Sequence, residues 1–373
     1  MKKIKVFILS DINSTHTKRW VASLCRQGCE IFLFGLLKCD RSFYDHLPNV
    51  TVYNYNFKLS NRLKSARWIL GKVLYLGAIG RIKKKIKEFQ PDILHAHYAS
   101  SFGLLGAFTN FHPYIISVWG SDVYSYPKAG NIYKKLLTYS FSKADKILST
   151  SLVMAKEAQQ YTSQEIGITP FGVDTSLFVK KEKQSPKQGF IIGNVKSLSK
   201  NYGIDVLINA FKIVSDRNPN KAISLQIAGT GPEKQNLIQQ CKDLGIDSKV
   251  TFLGFIPNHE LPAYYNCFDV AVSLSNMESF GVVAIEAMAC ECPVVTSDAE
   301  GFTEIVTDEI NGFIVPKQNP EATADAIQKL LDNEELRHQM GQAGREHVLK
   351  YYEWNQNVQT MLKYYKNILN LNQ

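Results

Sequence analysis

The chain has 373 residues, too many for one ordinary hydrophobic core, and its 45% apolar and 21% charged residues fit a soluble globular protein of two domains. No apolar run reaches the ~18–20 residues that cross a bilayer, and seven Cys without a C-x-x-C pair argue against a zinc site or a disulfide framework and for a reducing cytoplasm. The net charge of +9 is uneven: residues 1–180 hold 25 Lys and Arg against 11 Asp and Glu, residues 181–373 hold 18 against 23, so only the first half suits a polyanionic partner.

Lys3–Ser10 (KIKVFILS) reads as a buried parallel strand. It has a basic start but neither the long apolar stretch nor the small-residue cleavage site of a signal peptide. A helix over 16–27 follows, with Trp20, Val21 and Leu24 at helical spacing and Gly28 as its stop, and then a strand over 30–35. This is one strand–helix–strand unit, whose first turn faces the carboxyl end of the sheet, where ligands bind in such folds. His16 lies on that turn as a candidate site residue or as a helix-start hydrogen bonder.

Residues 58–87 hold ten Lys or Arg and no acid, interleaved with Leu, Ile, Val, Trp68 and Tyr75. Such a basic amphipathic stretch suits an anionic membrane surface, and it equally suits helices that pack an apolar stripe on the sheet; the face is broad enough for both. Nucleic acid is not expected, because no recognition motif accompanies the charge. Pro91–Tyr98 reads as a strand ending in His95-Ala96-His97, and alternation puts both His on one face. No third metal ligand lies nearby in sequence, so His95 is read as a satisfied core histidine. Small residues around Gly103 and Gly106 form a helix, and 114–123 (YIISVWGSDV) a strand and turn. Asp122 there can bind an acceptor hydroxyl or cap the following segment. A helix over 130–142 and a strand over 145–149 follow, and polar 180–189 reads as a linker.

The second half restarts the pattern. A strand over 189–195 leads to Lys196 and Lys200, then a helix over 204–215. Two lysines at the carboxyl end of a first strand suit a diphosphate; the alternative is two solvated side chains. A strand over 223–228 ends in Gly229-Thr230-Gly231-Pro232, which is not a G-x-G-x-x-G fingerprint because position 234 is Lys. Strands over 249–253, 268–275 and 293–297, a turn at Asn311-Gly312-Phe313 into a final strand, helices over 319–350 and a last helix over 353–370 complete the alternation. Between the strands at 268 and 293 lies Glu278-Ser279-Phe280-Gly281, an apolar run and Glu286. This reads as a loop entering a helix whose first-turn N–H groups favour an anion. A spacing of eight is a little over two turns, which puts both carboxylates on one side roughly 12 Å apart, far enough to grip two parts of one ligand.

The stretch from Glu278 through Glu286-Ala287-Met288-Ala289, Pro293-Val294-Val295 and Gly301…Glu304-Ile305-Val306 resembles the E-x7-E segment of the retaining glycosyltransferases of family 4, which have the GT-B fold. The resemblance covers nearly the whole chain and is strongest over 270–316. It implies that Glu278 with the Ser279-Phe280-Gly281 backbone holds the donor sugar and Glu286 the ribose hydroxyls. It implies that Lys196 and Lys200 clamp the diphosphate where the family has Arg and Lys. Gly229 and Gly231 match the family's Gly-x-Gly-Pro turn near the nucleotide, with Phe255 beside the base. His97 matches the second His of a His-x-His by the reacting sugar, and Asp122 lies in a Trp-Gly-Ser-Asp version of His-Gly-x-Asp. The chain departs from the family at Asn13-Ser14-Thr15 in place of glycines, at Trp119 for His, at Phe171 for Asn, at Glu291 for Gly and at Glu300-Gly301-Phe302 for Gly-Gly.

The implied fold is α/β of the GT-B type: two Rossmann-like domains facing across a cleft, with a C-terminal helix crossing back to the first. Residues 1–172 with 353–373 form the acceptor-binding domain and 173–352 the nucleotide-sugar domain. The implied activity is a retaining transfer of a sugar from a nucleotide-diphosphate sugar to a hydroxyl. No cofactor is expected, and the absence of any Asp-x-Asp sequence fits metal-independent chemistry. The acceptor is expected to be a saccharide on a lipid, met through 58–87 by a cytoplasmic enzyme peripheral to the inner face of the membrane, in surface polysaccharide assembly. A nucleotide-sugar 2-epimerase and a non-catalytic partner subunit are the alternatives.

Overall fold

The computed structural model describes residues 3–56, 77–181 and 189–371. They form two compact units, Met1–Pro170 with Gln356–Gln373, and Phe171–Asn355.

In the first unit seven strands make one parallel sheet: β1 (Lys5–Leu9), β2 (Glu30–Gly35), β3 (Val50–Asn54), β4 (Ile93–His97), β5 (Tyr114–Val118), β6 (Lys146–Ser149) and β7 (Ile166–Ile168), in the order β3-β2-β1-β4-β5-β6-β7. The central strands are apolar along their whole length because helices cover both faces of such a sheet. Phe7 stacks on Phe32 at 4.8 Å, and both with Phe34 are buried. Each buried Phe contributes about 1.5–3 kcal/mol. The helix Ile79–Phe89 buries Ile82 and leans Ile86 and Phe89 on the same core, while Arg81, Lys83, Lys84 and Lys87 remain exposed. Lys85 pairs with Glu88 at 2.6 Å. This end of the basic stretch is therefore a packing helix with a charged outer face. Residues 57–76 of the stretch lie outside the described residues.

The last helix, Trp354–Ile368, crosses back to this unit from Gln356 onward. Tyr365 is buried there with its hydroxyl 2.6 Å from His95 Nδ1, and a Cβ on Gly167 would come 2.5 Å from the Tyr364 hydroxyl.

The second unit repeats the plan with β8 (Phe190–Val195), β9 (Ile223–Ala228), β10 (Val250–Gly254), β11 (Val270–Ser273), β12 (Val294–Ser297) and β13 (Phe313–Val315), ordered β10-β9-β8-β11-β12-β13 and parallel throughout. Ile192, Leu225, Val272 and Val295 meet Ile208, Phe211 and Ile327 from the helices Ile204–Arg217 and Pro320–Asp332 in its core.

Two strands were not among the sequence expectations. Val50–Asn54 carries a β-branched and aromatic run that would have supported it. Ile166–Ile168 is three residues long, too short for a periodic signal. The expected helix after His97 opens with a wide turn, Gly103 N–H to Tyr98 C=O at 3.1 Å, before the helix Leu104–Thr109. Glu291, where the family usually has Gly, has φ +56. A side chain in that left-handed region costs about 1–2 kcal/mol, part of which Gly would lose again to its own unfolded-state freedom. Glu291→Gly should raise stability by about 0.5–1 kcal/mol, read as a higher melting temperature; a lower one would mean that the Glu291 side chain contributes more than its backbone strain costs.

Candidate active site

Parallel sheets of this kind offer a crevice beyond the carboxyl ends of their strands, where the strand order reverses. In the second unit that point lies between β8 and β11, which pair only through Ile192 with Val270 and Gly193 with Ala271. Beyond the pairing, Asn194 Nδ2 donates to Val272 C=O at 2.8 Å and holds the diverging strands. Lys196 follows β8 and Glu278 follows β11. The fold brings them together: Lys196 Nζ donates to Glu278 Oε2 at 2.6 Å, each side chain 12% exposed. Ser275 Oγ donates to the same oxygen at 3.1 Å, and the Lys196 ammonium lies 4.8 Å from the Tyr202 ring centroid. A partly buried cation and carboxylate in one crevice are poised to handle a ligand that carries both anionic and hydroxyl groups.

The expected grip of two carboxylates along one helix is not what forms. Gly281 has φ +100, so the helix starts only at Val282 and runs to Ala289. Glu278 lies in the loop before it, and Glu286 stands just over one turn in. Glu286 is almost fully buried, with Oε1 accepting from Asn258 Nδ2 at 2.9 Å and Oε2 from the Tyr265 hydroxyl at 3.2 Å. Burial first, and the Glu286 charge second, push the Tyr265 hydroxyl well above its usual pKa, so it stays a proton donor. Phe280 turns inward, its ring 6.2 Å from that of Phe171 and 5.5 Å from that of Tyr352. The Phe280 side chain is therefore not available to a ligand. Gly301 makes room for that backbone, since a Cβ there would lie 2.6 Å from Phe280 N.

Gly229 and Gly231 serve the packing of loops. A Cβ on Gly229 would come within 1.8 Å of the Lys196 carbonyl oxygen, and one on Gly231 within 2.2 Å of the Leu198 carbonyl oxygen. The Lys196 loop can lie where it does only because the neighbouring loop has no side chains at those positions. Lys200 is exposed and opens onto a groove of about 420 Å³ with Asp205, Glu233, Asn236 and Gln318, not onto the Lys196–Glu278 pair. The expectation that both lysines share one anion is corrected accordingly. The chain separates them with Ser197-Leu198-Ser199, and Leu198 is anchored in the core. Phe255 is 75% exposed.

The first unit reverses its strand order between β1 and β4. Ser10, just past β1, lies with its Oγ 3.1 Å from His97 Nδ1 and 2.7 Å from Thr17 Oγ1. The His97 ring lies tilted by 30° against Trp119 at 4.5 Å, and His16 meets Trp119 edge-on at 5.9 Å. His95 is a core residue, bonded on both ring nitrogens, to the Tyr365 hydroxyl and to Ser117 Oγ at 2.8 Å. Asp122 is fully buried, and its oxygens accept from the backbone N–H groups of Ala99 (2.8 Å), Gly120 (2.8 Å) and Trp119 (3.2 Å). The acceptor-hydroxyl role expected for it is withdrawn, because no hydroxyl from solution reaches a carboxylate at zero exposure. Asp122 instead ties the turn after β4 to the turn after β5. Sequence reasoning missed Ser10, Thr17, Asn258, Tyr265 and Ser275; each is a common polar residue whose partner is remote in sequence. Among the described residues no cluster of three or more His, Cys, Asp and Glu is placed to hold a metal.

Two families match the chain. Glycosyl transferases group 1 covers residues 177–347, and glycosyl transferase 4-like covers residues 5–151. The chain belongs to the group 1, family 4-type glycosyltransferases. An uncharacterized glycosyltransferase of Methanocaldococcus jannaschii is 27% identical over 90% of both chains. A D-inositol 3-phosphate glycosyltransferase of Corynebacterium jeikeium is 30% identical over 57% of this chain and 54% of its own, so this chain matches about half of that relative. A sucrose-phosphate synthase of Thermosynechococcus elongatus shares the fold, with a TM-score of 0.83 at 20% identity over 99% of this chain and all of its own. That likeness identifies the architecture as GT-B.

The glycosyltransferase carries its buried His16, His95 and His97 uncharged. Burial lowers His95 to about 3 and His97 well below its usual value, and burial with the nearby Arg19 charge lowers His16 to about 4. Depressed His values mean stability that is complete above the unfolded value of about 6.5 and lost as pH falls towards the folded one. The buried His95 and His97 should each remove up to ~1.4 kcal/mol per pH unit below that point. The melting temperature is expected to fall steeply between about pH 6.5 and 4, and less steeply in His95→Gln; a flat profile in the native protein would contradict this.

Proposed function

We propose that the glycosyltransferase moves a sugar from a nucleotide-diphosphate sugar to a hydroxyl of a saccharide acceptor with retention of configuration and without a metal. The observation that carries this reading is the Lys196–Glu278 pair at the strand-order reversal of the second unit. In this reading Glu278 and the Ser279–Gly281 backbone hold the donor's sugar hydroxyls, and Glu286, held by Asn258 and Tyr265, takes the ribose. Lys196 stabilises charge as it develops on the departing diphosphate, where a fixed cation acts more strongly than in water. The acceptor oxygen bonds to the anomeric carbon on the face that the diphosphate leaves, the carbon–phosphate-oxygen bond breaks, and the acceptor proton passes to that phosphate oxygen. Nucleoside diphosphate departs. In this reading His97, uncharged, would act beside the reacting sugar.

The acceptor in this reading is a lipid-linked saccharide in surface polysaccharide synthesis, met at the inner face of the cytoplasmic membrane. The exposed Arg81, Lys83, Lys84 and Lys87 support it, since each basic residue near an anionic surface contributes about 1 kcal/mol. No helix among the described residues is long and apolar enough to cross a membrane, so attachment would be from the surface.

The experiment is release of nucleoside diphosphate from UDP-, GDP- and ADP-sugars, with and without anionic vesicles, for the native chain, Glu278→Ala and the triple change of Lys83, Lys84 and Lys85 to Glu. One donor should turn over, and the Glu278→Ala variant should not use it. Vesicles carrying lipid-linked saccharide should stimulate the native chain and not the triple variant. A changed sugar still attached to its nucleotide would replace transfer with epimerisation, and no binding of any nucleotide sugar would sink the reading.

A further inference from the structure

In the second unit, the two groups that the proposed reaction uses separately are engaged with each other. Lys196 Nζ donates to Glu278 Oε2 at 2.6 Å, and the Ser275 hydroxyl donates to that same oxygen at 3.1 Å. Glu278 Oε1 takes part in no hydrogen bond among the described residues. The Ser275 donor is fixed, since Ser275 is fully buried and its carbonyl accepts from the Ser297 hydroxyl at 2.6 Å. The Lys196 backbone is fixed as well, with its N–H on Ala228 C=O at 2.9 Å and its carbonyl packed against Gly229. The Lys196 side chain has a long flexible stem that lets its ammonium swing, and the Tyr202 ring, its centroid 4.8 Å away, offers that cation a second resting place.

An ammonium closed on a carboxylate satisfies both. Sugar hydroxyls that approach Glu278 must compete with it, and a diphosphate must draw it away. A diphosphate presents several charged oxygens to one ammonium, against the single carboxylate oxygen that Lys196 holds, so the diphosphate prevails. Departure of Lys196 leaves a mostly buried carboxylate with Ser275 as its donor. Sugar hydroxyls are neutral donors that restore what the carboxylate has lost. Binding of the diphosphate therefore raises the affinity for the sugar, and by linkage the sugar raises the affinity for the diphosphate equally. Without a diphosphate the sugar meets a closed pair, and its apparent affinity falls by the fraction of molecules in which that pair is open.

We infer that the Lys196–Glu278 pair is a latch on the sugar subsite, opened by a diphosphate, so that diphosphate and neutral sugar bind this unit with positive coupling. The placing of sugar on Glu278 and diphosphate on Lys196 rests on the transferase reading above; the latch itself requires no turnover.

The test is titration of the full chain with glucose, galactose, mannose and N-acetylglucosamine, followed by NMR of the sugar, which reads weak affinities. Each titration is run alone and with saturating UDP, GDP, ADP or inorganic pyrophosphate, for the native chain, Lys196→Met and Glu278→Gln. A neutral sugar is the probe because charge repulsion by Glu278 does not act on it. In the native chain at least one sugar should bind about tenfold more tightly when a diphosphate is present. Lys196→Met should bind that sugar, with no diphosphate added, to within about threefold of the native chain with one, and adding a diphosphate should change nothing. Glu278→Gln should bind it weakly in both conditions. Equal sugar affinity with and without diphosphate in the native chain, no sugar binding in either condition, or sugar binding by Lys196→Met no tighter than by the native chain alone overturns the latch. Sugar binding tightened by pyrophosphate in a chain that binds no nucleoside diphosphate would sink the transferase reading and leave the latch standing.

Discussion

Lys196→Met should lower kcat/KM for nucleotide-sugar turnover by about 10²–10³, the usual consequence of removing one pre-positioned group that stabilises transition-state charge. The side chain keeps its length and apolar stem and loses only its cation. Lys196 is the cation that reaches the Glu278 loop, because Lys200 opens onto a different groove. Methionine also leaves the Glu278 carboxylate, 12% exposed, with the Ser275 hydroxyl still donating to it. Losing one partner of such a pair costs about 1–3 kcal/mol, so the variant should also melt earlier. Combining Lys196→Met with Glu278→Gln separates the two effects. The double variant should regain most of the stability, since no unpaired charge remains, and none of the activity. Lys196→Arg should keep both to within about tenfold in rate, because the charge is conserved while the fork geometry differs. Turnover of Lys196→Met within about tenfold of native would remove the pair from the chemistry and leave it a structural ion pair.

Asp122→Ala is expected to cost stability on the order of 3–5 kcal/mol, the range for leaving buried partners of a charged group without it. Three backbone N–H groups, of Ala99, Trp119 and Gly120, would lose their acceptor in a place that water does not reach. The same carboxylate holds the N–H of Ala99, the residue after Tyr98, whose φ of +76 is held only as long as its surroundings demand it. Asp122→Asn keeps one acceptor oxygen and should lose roughly half as much. Denaturant titration reads the stability, and a loss below about 1 kcal/mol would mean that the two turns relax onto other partners.

Much of the architecture was legible because its causes are local. Runs such as VFIL in β1, IFLF in β2 and YII in β5 are apolar over three or four residues with no polar alternation, as a strand buried on both faces requires. Helices between them announced themselves by period and by stops such as Gly28. The order of strand and helix then restricts the fold to a parallel sheet in each half. What failed locally failed for a stated reason. Ile166–Ile168 is too short to show a period, and the eight-residue spacing of Glu278 and Glu286 was converted to a distance on the assumption of one continuous helix, which the φ of Gly281 breaks.

The sequence by itself determined the alternation of strands and helices, the inventory of polar groups after each strand, and the motif residues that place the chain in its family. The tertiary structure alone decided which of those groups meet. Lys196 and Glu278 are 82 residues apart, and His95 and Tyr365 are 270 apart. No local pattern encodes such pairs, because they depend on which strands become neighbours at the point where each sheet reverses its order. Burial made the other decision. It turned Asp122 from a candidate ligand into the clamp of two turns, kept His95 and His97 uncharged, and gave Gly229 and Gly231 to the packing of backbone on backbone, since a side chain's role follows from what surrounds it and its surroundings are assembled from the whole chain.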